Sequence, residues 1–271
     1  MFGNGRGNKK ELFVMDINEI NKQMIESVVK CLENKGLEYA IIGAFALKLH
    51  KIKLDRMTMD ADFAVIFDGD QEDLKEILSK YGFDATSIPH RFTFNKSAKV
   101  DVIPVSEKRN VVYWPTGEKM DLFGLKEAIL NAEELKFGND ENFVVLKVAA
   151  IPLIVVIKIR ASIERLEGGD ITSAKKHISD IIACLRQYEE EGVRRFEYFD
   201  RLPEVEDEFM CSGAYLLGVD LHNYLSKCDV SRVVDDVNKC LKGVVLSQED
   251  LMLIKCFLRG IKDGKIERHE P

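Results

Sequence analysis

Asp60-Ala61-Asp62-Phe63 stands at the head of an apolar run that continues as Ala64-Val65-Ile66-Phe67. The run predicts a buried strand, and a buried strand that opens with two carboxylates tightly limits what the chain around it can be. Alternate side chains of a strand share a face, so Asp60 and Asp62 are expected side by side, roughly 6–7 Å apart from the rise per residue. A partly buried pair at that spacing has to take up a proton or hold a cation. Mg²⁺ suits such a pair, with Mn²⁺ as the alternative, because a hard cation prefers oxygen ligands and commonly sits between carboxylates and substrate phosphates.

Upstream, Leu37-Glu38-Tyr39-Ala40-Ile41-Ile42 reads as another buried strand, followed by Gly43-Ala44 and the helix-forming Phe45-Ala46-Leu47-Lys48-Leu49. Strand, glycine and helix start place backbone N–H groups and the positive end of a helix dipole beside the carboxylates, an arrangement that attracts phosphate. Glycine there lets a ligand approach the backbone closely. Together these features suggest nucleotide chemistry. Asp101 stands alone among Val100, Val102 and Ile103, where a lone Asp is poorly suited to a strand and costly to bury unpaired. It is either a third carboxylate of the same site, an acid hydrogen-bonded at a strand edge, or the acid of a structural salt bridge. Lys158 lies in an Ile-Val-rich stretch opened by Ile151-Pro152, and helical spacing puts it on one face with Ala161 and Arg165. It would bind a phosphate, neutralise an acid, or simply snorkel to solvent.

The strand, Gly43, the helix, the block Arg56-Met57-Thr58-Met59-Asp60-Ala61-Asp62-Phe63 and the later Lys158 and Asp180 resemble the core of the DNA polymerase beta-type nucleotidyltransferases. Within that superfamily they are most similar to the minimal nucleotidyltransferases of the AbiEii/AbiGii toxin type. The resemblance covers about Leu37 to Leu185, with a fainter echo at Gly213–Asp220. It implies an α/β (α+β) fold, a mixed sheet flanked by helices and followed by a C-terminal helical bundle. It implies Mg²⁺-dependent transfer of a nucleotide from an NTP to a hydroxyl acceptor. Asp60, Asp62 and Asp101 would be the catalytic and metal-holding acids, with Gly43, Ala44, Arg56, Thr58, Lys158 and Asp180 binding the nucleotide. The acceptor would be an RNA end such as that of tRNA, a protein hydroxyl or a small molecule, with an antitoxin partner and a role in toxin–antitoxin or phage-defence systems. The sequence departs from the family at Ala44, where a second Gly or a Ser is usual, and at His177, where the first Asp of Lys-Asp-x-x-Asp stands. The alternative is a catalytically silent module of the same fold that binds a nucleotide or a partner protein.

With 46% hydrophobic and 31% charged residues over 271 positions, the chain can bury a sizeable core. A net charge of −7 is not that of a dedicated nucleic-acid binder. Lys48, His50, Lys51, Lys53 and Arg56 nevertheless form a basic stretch, expected at the edge of the acidic pair or as a solvated face. The six cysteines have no Cys-x-x-Cys spacing, which argues against zinc and for free buried thiols. Residues 1–10 are rich in Gly and Asn and unlike a leader, and no apolar run is long enough to span a bilayer, so a cytoplasmic protein with no membrane association is expected.

Two domains are expected, a catalytic one over residues 1–150 and a helical one over 151–271. The pattern predicts a helix from Asp16 to Asn34, a helix capped by Asp70, and strands at Arg91–Phe94 and Lys99–Pro104. It further predicts a hairpin or loop around Trp114, and short strands at Leu122–Leu125 and Phe143–Leu146 flanking a helix over Lys126–Leu135. Helices are predicted from Ile151 and from Lys175, and Trp114 is read as either a stacking or a core residue. Beyond Tyr188, three amphipathic helices are expected, the last capped by Ser247 and Asp250.

Overall fold

The computed structural model describes residues 19–56, 60–106, 111–113, 119–138, 142–199, 209–242 and 244–264. Thr58 and Trp114 lie outside these residues. A helix α1 (Glu19–Asn34), closed by Gly36 at φ +63°, leads into β1 (Tyr39–Ile42), α2 (Gly43–Leu49) and β2 (Ala61–Ile66). Then come α3 (Gln71–Ser79), β3 (Phe83–Ala85), β4 (Arg91–Phe94) and β5 (Ala98–Val105). A small separate hairpin of β6 (Val111–Tyr113) and β7 (Lys119–Asp121) precedes α4 (Leu125–Leu130), β8 (Glu133–Gly138) and β9 (Phe143–Val148). The remainder is helical among the described residues: α5 (Ile151–Glu167), α6 (Ile171–Gln187), α7 (Arg194–Phe199), α8 (Phe209–Tyr224), α9 (Lys227–Leu241) and α10 (Gln248–Asp263).

Seven strands form one mixed sheet in the order β3-β4-β5-β2-β1-β9-β8. The two central strands β1 and β2 run antiparallel, whereas β2 with β5 and β1 with β9 are parallel. All four residues of β1 are buried, as expected for a central strand covered on both faces. Helices α2 and α4 pack on β1 and β2, and α1 packs against β5 and α3. The fold is thus the mixed α/β sheet with flanking helices and C-terminal helices that the sequence predicts. The Asp70 cap of α3 is a full capping box with Asp73, and Ser247 caps α10 through the Asp250 N–H.

Three boundaries differ from expectation. Leu122–Leu125 is a turn into α4 rather than a strand, because Gly124 at φ +84° breaks the extended chain. The predicted helix over Lys126–Leu135 stops at Leu130, and Glu133–Gly138 instead pairs with β9 as an edge strand whose charged side chains face solvent. Helix α6 starts at Ile171, not Lys175, because the Asp170 side chain accepts the Ser173 N–H as an N-cap directly after Gly168-Gly169. Five cysteines are buried free thiols, but Cys228 is exposed.

The C-terminal helices surround α8, which is buried on every side from Cys211 to Leu221 and so is not the amphipathic helix expected there. Its tightest neighbour is α10, where Gly218 and Gly260 bring the two backbones into contact. A Cβ on Gly260 would stand 2.0 Å from the Tyr215 carbonyl oxygen, an atom that cannot move aside. Gly260→Ala is therefore expected to destabilise the fold by about 1–3 kcal/mol, the usual cost of overpacking. Urea unfolding measures this, and a variant as stable as the parent chain would refute the close crossing.

Candidate active site

The cleft forms where the chain leaves β1. Asp62 pairs with Ile42 across the antiparallel β1–β2 ladder, and on its other side it stands opposite Asp101 in the parallel β2–β5 ladder. Two carboxylates therefore occupy neighbouring positions on adjacent strands. Gly43 follows Ile42 at φ +74°, and a Cβ there would lie 2.1 Å from Asp62 Oδ2. Only glycine leaves room for the Asp62 carboxylate over the start of α2. Asp60 sits exposed just before β2, close enough for its charge to act on Asp62.

Opposite the acids runs α5, whose Ile157, Lys158, Ala161, Glu164 and Arg165 line the cleft, confirming that Lys158, Ala161 and Arg165 share a face. The hairpin residues Lys119 and Met120 and the α6 residue His177 complete the walls of a cavity of about 470 Å³. Lys158 is neither free nor snorkelling. It is 3% exposed, and its Nζ donates to Asp180 Oδ2 at 2.6 Å. Arg56 grips the same carboxylate with Nη2 at 2.8 Å and Nε at 3.4 Å. Burial alone would raise the Asp180 carboxyl, but Lys158 and Arg56 outweigh it and hold the group below its ordinary value.

Asp62 behaves in the opposite way. Burial first, and then the charge of Asp101, push its carboxyl up to about 7, with Asp60 adding to the rise and Lys158 and Arg91 opposing it. Asp101 is held by Arg91, whose Nε and Nη2 each donate to one of its oxygens at 2.7 Å. The salt-bridge reading of Asp101 and its place beside Asp62 are thus both realised. Arg91 was not singled out from sequence, although the hairpin turn at Asn95-Lys96 pairs it directly with Asp101.

Gly43, Asp62, Asp101 and Lys158 accordingly line one cleft, with Asp60 at its edge and Asp180 and Arg56 behind Lys158. Ala44 is buried at 6% exposure and does not line the cleft, and Thr58 lies outside the described residues. The basic stretch divides: Arg56 stands beside the cleft through Asp180, and the rest takes the alternative of a face away from it. Lys48, His50, Lys51 and Lys53 border a second groove facing Glu189, Glu190 and Glu191, and His50 Nε2 lies 2.8 Å from the Ala149 carbonyl oxygen. They belong to the far end of α2, roughly 10 Å from Gly43 at 1.5 Å per residue.

The donors Asp60, Asp62 and Asp101 are all carboxylate oxygens, and their crowding at Asp62 is what a hard cation would relieve. Among the described residues no group of three or more His, Cys, Asp or Glu side chains is placed to hold a metal ion by itself. By the chemistry of its donors alone, the set suits a hard cation. No helix among the described residues is long and apolar enough to cross a membrane.

No protein-family model matches the sequence, and no curated protein is similar to it. Among solved structures the chain is remotely similar to JHP933 from Helicobacter pylori, at 13% identity and TM-score 0.35 over 92% of this chain and 94% of that one. It is similar at the same remove to a nucleotidyltransferase-like protein of Paracoccidioides brasiliensis, at 19% identity and TM-score 0.34 over 60% and 77% of the two chains. The lincosamide antibiotic adenylyltransferase LnuA, solved with lincomycin, shows 12% identity and TM-score 0.34 over 59% and 98%. Likenesses this distant assign no activity to the chain.

The state of Asp62 has a consequence for stability. Its carboxyl ordinarily titrates near 4 in an unfolded chain and here titrates near 7, so the folded protein binds that proton more tightly. The associated stability is complete below about pH 4 and is lost as pH rises through 7. Asp62→Asn is expected to melt higher than the parent chain at pH 8 in the presence of a chelator. The difference should shrink to nothing at pH 4, and melting curves that keep a constant offset between those pH values would contradict the assignment.

Proposed function

We propose that the chain is a nucleotidyltransferase that moves a nucleotide from an NTP to a hydroxyl acceptor with Mg²⁺, or Mn²⁺ in its place. The observation that carries the reading is the juxtaposition of Asp62 and Asp101 above Gly43, facing Lys158 across one cleft. The motif resemblance from Arg56 to Phe63 supports it independently.

In this reaction the acceptor hydroxyl oxygen bonds to the α-phosphorus, the bond from that phosphorus to the bridging oxygen breaks, and pyrophosphate leaves. Asp60 and Asp62, with Asp101 completing the set, would hold a divalent cation, which would supply charge neutralisation on the phosphates. Gly43 lets phosphate oxygens approach the start of α2, and Lys158 faces them with a positive charge fixed by Asp180. Arg56 shares Asp180 and so holds Lys158 in place rather than meeting the substrate. Asp101 orients the acceptor hydroxyl or takes its proton, with Arg91 setting the direction of its oxygens. Positioning and charge carry most of such a reaction.

We further propose that residues 1–150 form the catalytic domain and 151–271 a helical domain that contributes the Lys158 wall. The acceptor is an RNA end such as tRNA, a protein hydroxyl or a small alcohol, and a toxin–antitoxin or phage-defence role with an antitoxin partner accords with the AbiEii-like motif. The net charge of −7 weighs against a nucleic acid. A silent binding module is the second reading, favoured by one feature: Arg91 already neutralises Asp101 as a purely structural acid would require.

The test is incubation with each α-labelled NTP, Mg²⁺, cellular RNA and protein extract, beside Asp60→Asn and Asp62→Asn. Label is expected on one class of acceptor, reduced at least about a hundredfold in either variant. Transfer to RNA would also fall steeply with added salt, whereas a small acceptor would show little salt effect. No label with any NTP, together with no shift in melting temperature on adding Mg²⁺ and nucleotide, would leave the silent module.

A further inference from the structure

The segment that links α2 to β2 carries Arg56, and its course is set by a helix outside the sheet. Helix α2 ends in a left-handed turn at Lys51 (φ +63°), where the Ile52 N–H bonds the Leu47 carbonyl oxygen and the Lys51 N–H bonds that of Lys48. Lys53 follows, and both of its backbone groups are taken by one side chain. Its N–H donates to Gln187 Oε1 at 2.8 Å, and its carbonyl oxygen accepts from Gln187 Nε2 at 3.0 Å. A carboxamide that meets the donor and the acceptor of a single residue copies the pairing of a neighbouring strand. Three residues on, Arg56 reaches Asp180 with two nitrogens. Gln187 and Asp180 both belong to α6 and stand two turns apart, on one face and roughly 10 Å from each other along the axis. The chain from Lys53 to Arg56 thus runs along α6 against the helix direction, held at both ends.

The anchor is itself fixed from behind. Gln187 is the last residue of α6, Arg195 donates to the carbonyl oxygens of Arg186 and Tyr188 on either side of it, and the Arg186 guanidinium bonds Glu249 and Asp250 at the start of α10. At the other end of the segment the coupling to the cleft is close. Arg56 Nη2 and Lys158 Nζ donate to the same oxygen, Asp180 Oδ2, at 2.8 and 2.6 Å. With Arg56 in place, Asp180 is shared between two cations and the wall keeps a net positive charge. With Arg56 displaced, Asp180 and Lys158 form a neutral pair. Gln187 lines the second groove rather than the cleft, so it touches no substrate.

We propose that Gln187 is a positioning residue of the cleft: by clamping Lys53 it sets the segment from which Arg56 meets Asp180, and through that carboxylate the charge that Lys158 offers to phosphate. The inference rests on the nucleotidyltransferase reading of the cleft.

The experiment compares the full chain with Gln187→Met, Gln187→Glu, Arg56→Ala and the double variant Gln187→Met/Arg56→Ala. It reads dissociation constants for the four NTPs and for inorganic triphosphate, each with Mg²⁺, together with hydrogen exchange over residues 52–56. Met keeps the length of the side chain and a good helix propensity but cannot make either bond. Gln187→Met is expected to speed exchange at the Lys53 amide and to weaken every NTP and triphosphate alike by about three- to tenfold, the worth of a lost neutral hydrogen bond. Gln187→Glu keeps the acceptor for the Lys53 N–H and should retain part of the affinity. In the Arg56→Ala background the loss from Gln187→Met should vanish, because the route through Arg56 is already cut. An equal loss with and without Arg56 would overturn the inference, and so would faster exchange with unchanged affinity, which would leave Gln187 a purely structural clamp. If the parent chain binds neither NTP nor triphosphate, the reading of the cleft falls and the inference with it. If the parent chain binds them and only the two substitutions prove independent, the reading of the cleft stands without the inference.

Discussion

Asp180 is a carboxylate at 2% exposure in the middle of a helical core, and it could not remain there unpaired. A buried charge without a partner costs several kcal/mol even after relaxation. It is kept by two cations from different parts of the chain, Lys158 of α5 and Arg56 from the segment between α2 and β2. This triad joins the sheet side of the molecule to the helices behind it. It also leaves one positive charge in excess on the wall that faces Asp62. The direction of the Lys158 ammonium is set by that pairing, so the cleft inherits its polarity from a contact that lies behind its own wall.

A second, partly buried network steadies the hairpin wall. Asp121, the last residue of β7, accepts from Arg160 at 2.9 Å and from Arg232, and Arg160 reaches Asp236 of α9 at 3.0 Å. Arg232 also stacks 4.0 Å from the centroid of the Phe123 ring. Val112 and Met120 pack the hairpin against the apolar core, and these ion pairs tie it further to α5 and α9. At the far end of the helices, Arg195 is buried at 1% exposure, and its guanidinium donates to the carbonyl oxygens of Arg186 and Tyr188. Those carbonyls belong to the end of α6, where no following turn can satisfy them. Arg195 therefore caps α6, and it lies flat against Gly213 of α8, where a Cβ would meet the guanidinium. The helices behind the cleft are thus registered to one another by directed charges as well as by apolar packing.

Much of the sheet and the acid cluster was legible because it breaks local rules. Asp62 and Asp101 stand in runs where β-branched residues belong, and Gly43 interrupts a strand-to-helix passage, so each advertises a non-structural demand. Arg91 broke no rule: an arginine in an alternating strand looks like an ordinary solvent-facing residue until the hairpin register is fixed. The basic residues from Lys48 to Lys53 lie away from the acids because they sit at and beyond the C-terminal end of α2, whereas Gly43 stands at its start, so of the two places open to them they take the one off the site. Helix α8 escaped the amphipathic pattern because burial on all sides removes the polar face that the periodicity depends on. Glu133-Glu134-Leu135-Lys136 favours a helix by composition, and pairing with β9 overrides it.

The two acids at the centre of the cleft are equivalent in sequence terms and unequal in the folded protein. They stand opposite each other on parallel strands, yet Asp101 has both oxygens occupied by Arg91, whereas Asp62 has Gly43 beneath it and the charges of Asp101 and Asp60 beside it. Two carboxylates whose surroundings differ in this way can divide their tasks, one oriented by its guanidinium partner and the other with its carboxyl pushed up by burial and neighbouring charge. In the proposed reaction that asymmetry has a direct use. Asp62, crowded by the charges of Asp101 and Asp60, is the carboxylate that would gain most from holding a divalent cation. Arg91 fixes the direction of the Asp101 oxygens beside it. A symmetric pair of free carboxylates would tend instead to hold one proton between them.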